Sequence, residues 1–97
     1  MFQLMTTSYF DRWLKDLRDR SVKNRVLSRL ARVQNGNFGD AKQISDDLFE
    51  LRFFYGGGIR ICYTLQNNQV VLLLVGGDKS TQNKDIKKAQ DILAKME

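Results

Sequence analysis

Residues 46–75 read DDLFELRFFYGGGIRICYTLQNNQVVLLLV, and this stretch decides the fold. Apolar and polar residues alternate with period two over Asp46–Phe54 and again over Ile59–Gln66, which is the pattern of strands with one buried face. Gln69–Val75 is apolar on both faces, as in a strand that is covered on both sides. A triple glycine and an Asn-Asn pair separate the three segments and favour tight turns. The stretch therefore predicts a three-stranded antiparallel meander.

The segments on either side of the meander predict a short strand and three helices. Phe2–Thr6 is the strand, and apolar residues then recur at helical spacing over Ser8–Arg20 and over Ser21–Val33. Gly36–Ser45 is polar and predicts a loop, whereas Ile86–Met96 predicts a closing helix. The expected order is βααβββα, which is an α+β fold with an antiparallel sheet, an N-terminal helical hairpin and a C-terminal helix. With 97 residues, we expect one domain spanning residues 1–97.

The composition excludes several classes of chemistry. The sequence has no histidine, so Ser-His-Asp, Cys-His and paired-histidine nuclease mechanisms are excluded. The lone cysteine, Cys62, excludes an intrachain disulfide and a Cys-rich zinc site, and its apolar neighbours predict a buried, unreactive thiol. We therefore expect no metal and no small-molecule cofactor.

Charge and hydropathy indicate the compartment and the kind of partner. The longest strongly apolar run, Val70–Val75, is far too short to span a membrane, and the first five residues do not resemble a secretion signal. We therefore expect a cytoplasmic protein with no membrane partner. Sixteen Lys and Arg against eleven Asp and Glu give a net charge of +5, which is compatible with a nucleic-acid partner.

The register of the meander brings three cations together. If the apolar faces of its first two strands meet, Arg52 lies opposite Arg60, and Glu50 shares their face. Pairing across the Asn-Asn turn puts Val75 opposite Arg60, so that Lys79 arrives beside both arginines. Like charges placed opposite each other in a sheet are unfavourable, which suggests an anion between them, with exposed backbone N–H groups at Gly76-Gly77 completing a phosphate site. The alternative is that the arginines are solvated or paired with Glu50 or Asp78.

A second basic feature runs along the helical hairpin, where Arg12 to Arg32 contains eight Lys or Arg against two Asp. Arg25, Arg29 and Arg32 follow helical spacing and could dock along a polyanion, although a solvated helix face gives the same pattern. Tyr55 and Phe38 are candidates for stacking on bases, with an edge contact to the core as the alternative.

Five segments of the sequence resemble the RelE/ParE/HigB superfamily of bacterial toxins, and within it the phage-Gp49-like, HigB-like group called addiction module killer proteins. The resemblance covers nearly the whole chain. The most specific segment is the seven-residue block GGDKSTQ that follows the last strand. The segments are Phe10-Asp11-Arg12-Trp13-Leu14, Gly36-Asn37-Phe38-Gly39-Asp40, Glu50-Leu51-Arg52, Gly58-Ile59-Arg60-Ile61 and Gly76-Gly77-Asp78-Lys79-Ser80-Thr81-Gln82.

The resemblance implies a toxin of a type II toxin–antitoxin module, whose partner is a small helix-turn-helix antitoxin. RelE- and HigB-like members bind the ribosome and cleave mRNA there, and the Gp49-like placement favours this activity. ParE-like members instead poison DNA gyrase. A third alternative is a non-catalytic basic module that only binds its antitoxin.

Cleavage by an endoribonuclease of this kind begins with attack of a substrate 2′-hydroxyl on the adjacent phosphate, so it needs cations, a base and an acid. Arg52 and Arg60 fall where the family keeps basic residues on the central strands, and Lys79 lies in the family's characteristic loop. Several family nucleases use a His or a C-terminal Tyr, which this chain lacks. Lys79 and Glu50 therefore remain as alternatives for moving protons, on RNA that the ribosome aligns, and Arg25, Arg29 and Arg32 are the candidate ribosome-binding residues.

Overall fold

The computed structural model describes residues 1–96 as a five-stranded sheet with helices on both of its faces. None of these helices is both long and apolar enough to cross a lipid bilayer. A short 3-10 turn, Lys79–Thr81, leads into the last helix. The elements in chain order are β1 (Gln3–Thr6), α1 (Ser8–Asp16), α2 (Arg20–Gln34), β2 (Ala41–Ser45), β3 (Leu48–Arg52), β4 (Arg60–Gln66), β5 (Val70–Gly77) and α3 (Gln82–Lys95).

The α+β class, the helical hairpin and the C-terminal helix are confirmed, but the sheet has one more strand than βααβββα. Residues 41–45, predicted as part of a polar loop, form β2 and pair antiparallel with β3. This strand lies at the edge of the sheet and is largely exposed, so its sequence is polar and lacks the alternation of a half-buried strand. At the other edge β1 pairs parallel with β5, which makes the sheet mixed.

The register of β3 and β4 is the predicted one, with Arg52 opposite Arg60 and Glu50 opposite Cys62. The register of β4 and β5 differs, because Gly77 rather than Val75 lies opposite Arg60. Gln66 pairs with Val70, so the connection contains three residues, and a bulge in the pairing between Cys62 and Tyr63 shifts the register once more. β5 therefore continues to Gly77 instead of ending at Val75, and Lys79 follows two residues after the end of the strand.

The two faces of the sheet carry separate apolar clusters. α1 and α2 cover one face, where Phe10, Val26 and Leu30 pack on the inward side chains of β3, β4 and β5. α3 covers the other face through Ala89, which packs with Cys62 and its neighbours. The face that carries Glu50 is therefore buried beneath α3 at this residue.

α1 begins at Ser8 as predicted but ends at Asp16 instead of Arg20, and α2 spans Arg20–Gln34 instead of Ser21–Val33. Thr7 caps α1, because its side chain accepts a hydrogen bond from Phe10 N. Asp19 caps α2 by accepting hydrogen bonds from the backbone N–H groups of Ser21 and Val22.

Arg29 lies at the junction of α2 with the sheet and is only 9% exposed. Its guanidinium donates hydrogen bonds to three backbone carbonyls, those of Phe38 (3.0 Å), Asp40 (2.8 Å) and Arg52 (2.9 Å), and stacks over the ring of Phe53. Burial lowers the pKa of Arg29. Both interpretations of Arg29 from the sequence, as a docking residue and as a solvated residue, are therefore wrong. Its N–H donors bind carbonyls inside the protein.

We predict that Arg29→Ala lowers the free energy of unfolding by about 2–4 kcal/mol, because three partly buried carbonyls lose a charge-assisted donor. Arg29→Lys recovers only part of this, since an ammonium cannot span the three acceptors. The control is Arg32→Ala, an exposed change on the same helix that should stay within about 0.5 kcal/mol. Urea unfolding measures both, and equal losses would contradict the role of Arg29.

We also predict that Cys62 resists alkylation in the folded protein. The residue is 1% exposed, and burial, followed by the nearby Glu50 carboxylate, raises the pKa of its thiol to about 12. Between pH 8 and 9 the folded protein therefore holds almost no thiolate, whereas the unfolded chain holds a substantial fraction. Iodoacetamide labelling followed by mass spectrometry should be fast in urea and slow in buffer, and fast labelling in buffer would show that the core around β4 opens readily.

Candidate functional site

A cleft of about 520 Å³ opens at the end of the sheet where β3 ends, β4 begins and β5 ends. The antiparallel register places Arg52, Arg60 and Gly77 side by side across the three strands, and Lys79 follows two residues after Gly77. The sequence prediction that these three cations lie together therefore matches the geometry. The cleft is lined by Asp40, Arg52, Phe53, Phe54, Gly57, Gly58, Arg60 and Lys79.

Arg52 is paired with an acid that the sequence analysis did not consider. Its Nη2 lies 2.9 Å and its Nε 3.2 Å from Asp40 Oδ1, and both side chains are more than a third exposed. The backbone N–H of Arg52 also donates to the Asp40 carbonyl. An ion pair this exposed contributes at most about 1 kcal/mol, so an anionic ligand can compete with Asp40 for the guanidinium.

Arg60 is held in place with part of its hydrogen-bonding capacity unused. Its Nη1 reaches the carbonyls of Phe53 and Ile59 only at 3.5 and 3.4 Å, and its buried Nε has no hydrogen-bond partner within residues 1–96. The Glu50 carboxylate lies 3.8 Å from Nε, on the core side. Since Nε is buried, a phosphate that enters the cleft would bind the Nη end of the guanidinium, which carries the other donors of the fork.

Glu50 lies behind Arg60 and does not line the cleft. It is completely buried beneath α3, where Oε1 accepts a hydrogen bond of 2.9 Å from Gln82 Nε2 and Oε2 has no hydrogen-bond partner among residues 1–96. Glu50 therefore shares the face of Arg52 and Arg60 as predicted, but its burial contradicts the predicted alternative that it moves protons for a ligand in the cleft. Glu50 and Gln82 hold the Arg60 side chain from the core side.

The block GGDKSTQ joins the last strand to both layers of helices. A Cβ on Gly76 would collide with the ring of Trp13 from α1, and one on Gly77 would collide with the Asp85 carboxylate of α3. Asp78 forms a capping box with Thr81, and its hydrogen bond from the Ser80 side chain lowers the pKa of Asp78. These contacts fix the loop that carries Lys79.

The backbone of Gly76 and Gly77, which the sequence predicts to complete a phosphate site, does not line the cleft. Both glycines belong to β5, and the Ser80 N–H donates to Asp78 Oδ1 at 2.8 Å. The Lys79 N–H faces the carbonyl of Gly57 at 3.4 Å. The positive character of the cleft therefore comes from side chains rather than from a helix terminus.

The triple glycine forms the wall of the cleft beside Lys79. All three glycines have positive φ, from 65° at Gly56 to 79° at Gly58, so a turn of this shape requires residues without a Cβ. A Cβ on Gly58 would lie 3.2 Å from Lys79 Cβ and 3.9 Å from Arg60 Nη1. The two cations therefore approach each other across a residue that has no side chain.

A second, smaller cleft of about 210 Å³ adjoins the larger one, and Phe54 and Arg52 line both. Arg32 lines it, together with Asn37 and Gly39, and Arg29 forms its inner wall. Arg25 is exposed and lies 4.5 Å above the ring of Tyr55. Of the predicted docking residues, Arg25 and Arg32 are therefore accessible and Arg29 is not.

Phe38 and Tyr55, the two candidates for stacking on bases, pack against the core. Phe38 stacks on Tyr63 and makes an edge contact with Phe2, and Tyr55 makes an edge contact with Phe53. Burial raises the pKa of Tyr63 to about 12, so this hydroxyl stays protonated near neutral pH, and Tyr63 lines neither cleft. The core alternative is therefore the correct one for Phe38.

Three residues of the site were missed by the sequence analysis: Asp40, Gln82 and Phe54. Asp40 and Gln82 stand in two of the segments quoted for the family resemblance, which was a usable signal. Phe54 ends the alternating segment Asp46–Phe54, and the alternation puts it on the face of Glu50 and Arg52 but does not show whether that face is exposed at Phe54. Within residues 1–96, no three His, Cys, Asp or Glu side chains are grouped as metal ligands would be.

Solved structures resemble this fold at low sequence identity. A doubly substituted variant of the Escherichia coli toxin RelE in the free state has a TM-score of 0.74 at 14% identity, over 93% of this chain and 95% of that one. The isolated E. coli RelE toxin has a TM-score of 0.68 at 15% identity, over 91% of this chain and 98% of that one. A chain of the intact E. coli RelBE toxin–antitoxin complex has a TM-score of 0.65 at 15% identity, over 80% of this chain and 96% of that one.

Sequence comparison identifies the family. A Haemophilus influenzae protein described only as uncharacterized is 49% identical over 88 residues, which are 91% of this chain and 89% of that protein. The family model of the phage-derived protein Gp49-like (DUF891) matches residues 12–96. The resemblance inferred from the sequence is thereby confirmed: the chain belongs to the phage-derived Gp49-like family and has the fold of the RelE toxin.

Proposed function

We propose that this protein is the toxin of a type II toxin–antitoxin module and that it stops growth by cleaving mRNA on the ribosome. The observation that carries the proposal is the convergence of Arg52, Arg60 and Lys79 on one cleft of about 520 Å³. The family and the RelE fold support the toxin assignment. The site would act in the cytoplasm, where ribosomes and mRNA are found.

The three cations fit the charge that develops during cleavage of RNA. The 2′-oxygen attacks the adjacent phosphorus, the bond from phosphorus to the 5′-oxygen breaks, and the products are a 2′,3′-cyclic phosphate and a 5′-hydroxyl. The phosphorane between these states carries extra negative charge on its non-bridging oxygens. Arg52, Arg60 and Lys79 would stabilise that charge by direct hydrogen bonds in a partly enclosed cleft.

Two groups that line the cleft can move protons. Asp40, whose carboxylate is partly exposed, can accept the proton of the 2′-hydroxyl, and Lys79 can donate one to the leaving 5′-oxygen. Glu50 is too deeply buried for either step. Because the chain has no imidazole, we assign a large part of the rate to the ribosome, which would hold the RNA in the reactive geometry.

The exposed arginines of α2 would dock the toxin on ribosomal RNA. Arg25 and Arg32 present cations at the surface of the hairpin, close to the smaller cleft. Contacts of this kind bind phosphates without reading sequence and weaken as salt concentration rises.

The E. coli RelBE complex, a structural neighbour, is a toxin–antitoxin complex. By analogy we propose that this chain binds an antitoxin, a small helix-turn-helix protein that covers part of the basic surface. Acidic side chains on that partner would complement Arg25, Arg32 and the cations of the cleft.

We predict that Arg60→Ala lowers the rate of mRNA cleavage at least about 10²-fold, as expected for loss of one donor to a developing oxyanion. Induction of the wild-type protein should arrest growth and create new mRNA 5′ ends within codons, and the variant should do neither at equal protein level. Lys87→Ala, an exposed lysine change on α3 away from the cleft, is the matched control and should behave as wild type.

Three results would contradict this assignment. A toxic Arg60→Ala protein would remove the residue from the mechanism. DNA breaks without new mRNA ends would support a ParE-like gyrase poison, and no growth arrest by the wild type would support a non-catalytic module that binds its antitoxin.

We further predict that Arg25→Ala and Arg32→Ala each weaken ribosome binding and reduce the slope of log affinity against log salt by about 0.7–0.9, the value for one phosphate contact. For Arg25→Ala, which changes a residue outside both clefts, the cleavage rate at saturating protein should stay within a factor of two. Binding to purified ribosomes at several salt concentrations measures the slope, with Lys87→Ala as control. An unchanged slope in both variants would show that α2 is not the docking surface.

A further inference from the structure

Phe54 presents its aromatic ring to solvent at the rim of the cleft. It is 93% exposed, whereas the other exposed large apolar residues after Met1 in the described chain are exposed by less than half. Its neighbour Phe53 is 3% exposed and Tyr55 packs against Phe53. An exposed phenyl ring forgoes the free energy of removing its apolar surface from water, so a ligand that covers the ring would recover that free energy.

Phe54 lines both clefts, and so does Arg52. The larger cleft adds the guanidinium of Arg60 and the ammonium of Lys79. The smaller cleft adds Arg32. A flat apolar ring that borders two clefts with cations in each has the chemistry of a nucleotide site, in which the ring contacts a base and the cations contact the phosphates before and after it.

The surroundings of Phe54 favour a nucleic acid over an apolar protein segment. The accessible side chains around it are charged or polar: Asp40, Arg52 and Lys79 in the larger cleft and Arg32 and Asn37 in the smaller one. A hydrophobic peptide docked here would bury the one phenyl ring, but it would also remove several charged side chains from water. A single RNA strand would bring a negative charge to each cluster of cations and a π-face to the ring.

We propose that Phe54 stacks on a base next to the phosphate under attack. The scissile phosphate lies among Arg52, Arg60 and Lys79, the neighbouring base covers the ring of Phe54, and the strand continues across the smaller cleft to Arg32. This inference rests on the proposed RNA cleavage and assigns the path of the substrate. Every base has a π-face, so Phe54 supplies binding and alignment rather than a sequence code.

The test is the single-turnover rate of mRNA cleavage on purified ribosomes programmed with a defined message. Phe54→Ala and Phe54→Leu should each lower the rate about 5- to 100-fold, the range for loss of one stacked base, whereas Phe54→Trp should stay within about 3-fold of wild type. Met5→Ala, an exposed apolar change on β1, is the control and should have no effect. Urea midpoints should agree among all these proteins, because the Phe54 side chain is not part of the core.

A second set of messages locates the stacked base. Each message carries one abasic ribonucleotide, with its 2′-hydroxyl retained, on one side of the scissile phosphate. On the message that lacks the stacked base, wild type and Phe54→Ala should cleave at the same reduced rate. On the other message, the difference between them should persist.

Several outcomes would overturn the inference. Equal rates for wild type and Phe54→Ala on the intact message would show that the ring does not touch the substrate. Full activity of Phe54→Leu, or loss only of antitoxin binding in Phe54→Ala, would make Phe54 an apolar anchor for a protein. If the wild type itself cleaves no message, the proposed function fails and the inference with it, and this result is distinct because it appears without any substitution.

Discussion

The buried guanidinium of Arg29 is the contact on which both clefts depend. One side chain from α2 binds the carbonyls of Phe38, Asp40 and Arg52, and so joins the loop before β2 to the end of β3. Asp40 and Arg52 line both clefts, so the position of their backbone decides where the Arg52 guanidinium stands. A planar fork with five donors can satisfy three carbonyls at once, which explains why an arginine rather than a lysine suits this junction.

Gathering cations at one rim is unfavourable in the absence of a ligand, and acids on two sides of the rim reduce that cost. Asp40 meets Arg52 at the surface, and Glu50 meets Arg60 from the buried side, where Gln82 orients the carboxylate. Neither ion pair is tight, since the Arg52–Asp40 pair is partly exposed and the Arg60–Glu50 pair is 3.8 Å long. The positive charge is therefore held in a fixed place and stays available to an anion.

The loop that carries Lys79 is fixed by contacts to both layers of helices. Trp13 of α1 packs on Gly76, Asp85 of α3 packs on Gly77, and Asp78 closes the start of the 3-10 turn. The glycines are needed because the neighbouring side chains occupy the space of a Cβ. This accounts for the specificity of the block GGDKSTQ, in which the other six residues shape the loop or orient Glu50, so that Lys79 reaches the cleft.

The sequence by itself determined the α+β class, the family resemblance and the register that sets Arg52 opposite Arg60, because period-two alternation and short turns fix which residues share a face. It could not predict β2, whose exposed edge position leaves no hydrophobic pattern. Only the tertiary structure decided that Glu50 and Arg29 are buried and that Phe54 is exposed. The physical reason is that a local pattern shows which side chains point the same way, whereas their burial depends on what a distant part of the chain, here α3 for Glu50, places over them.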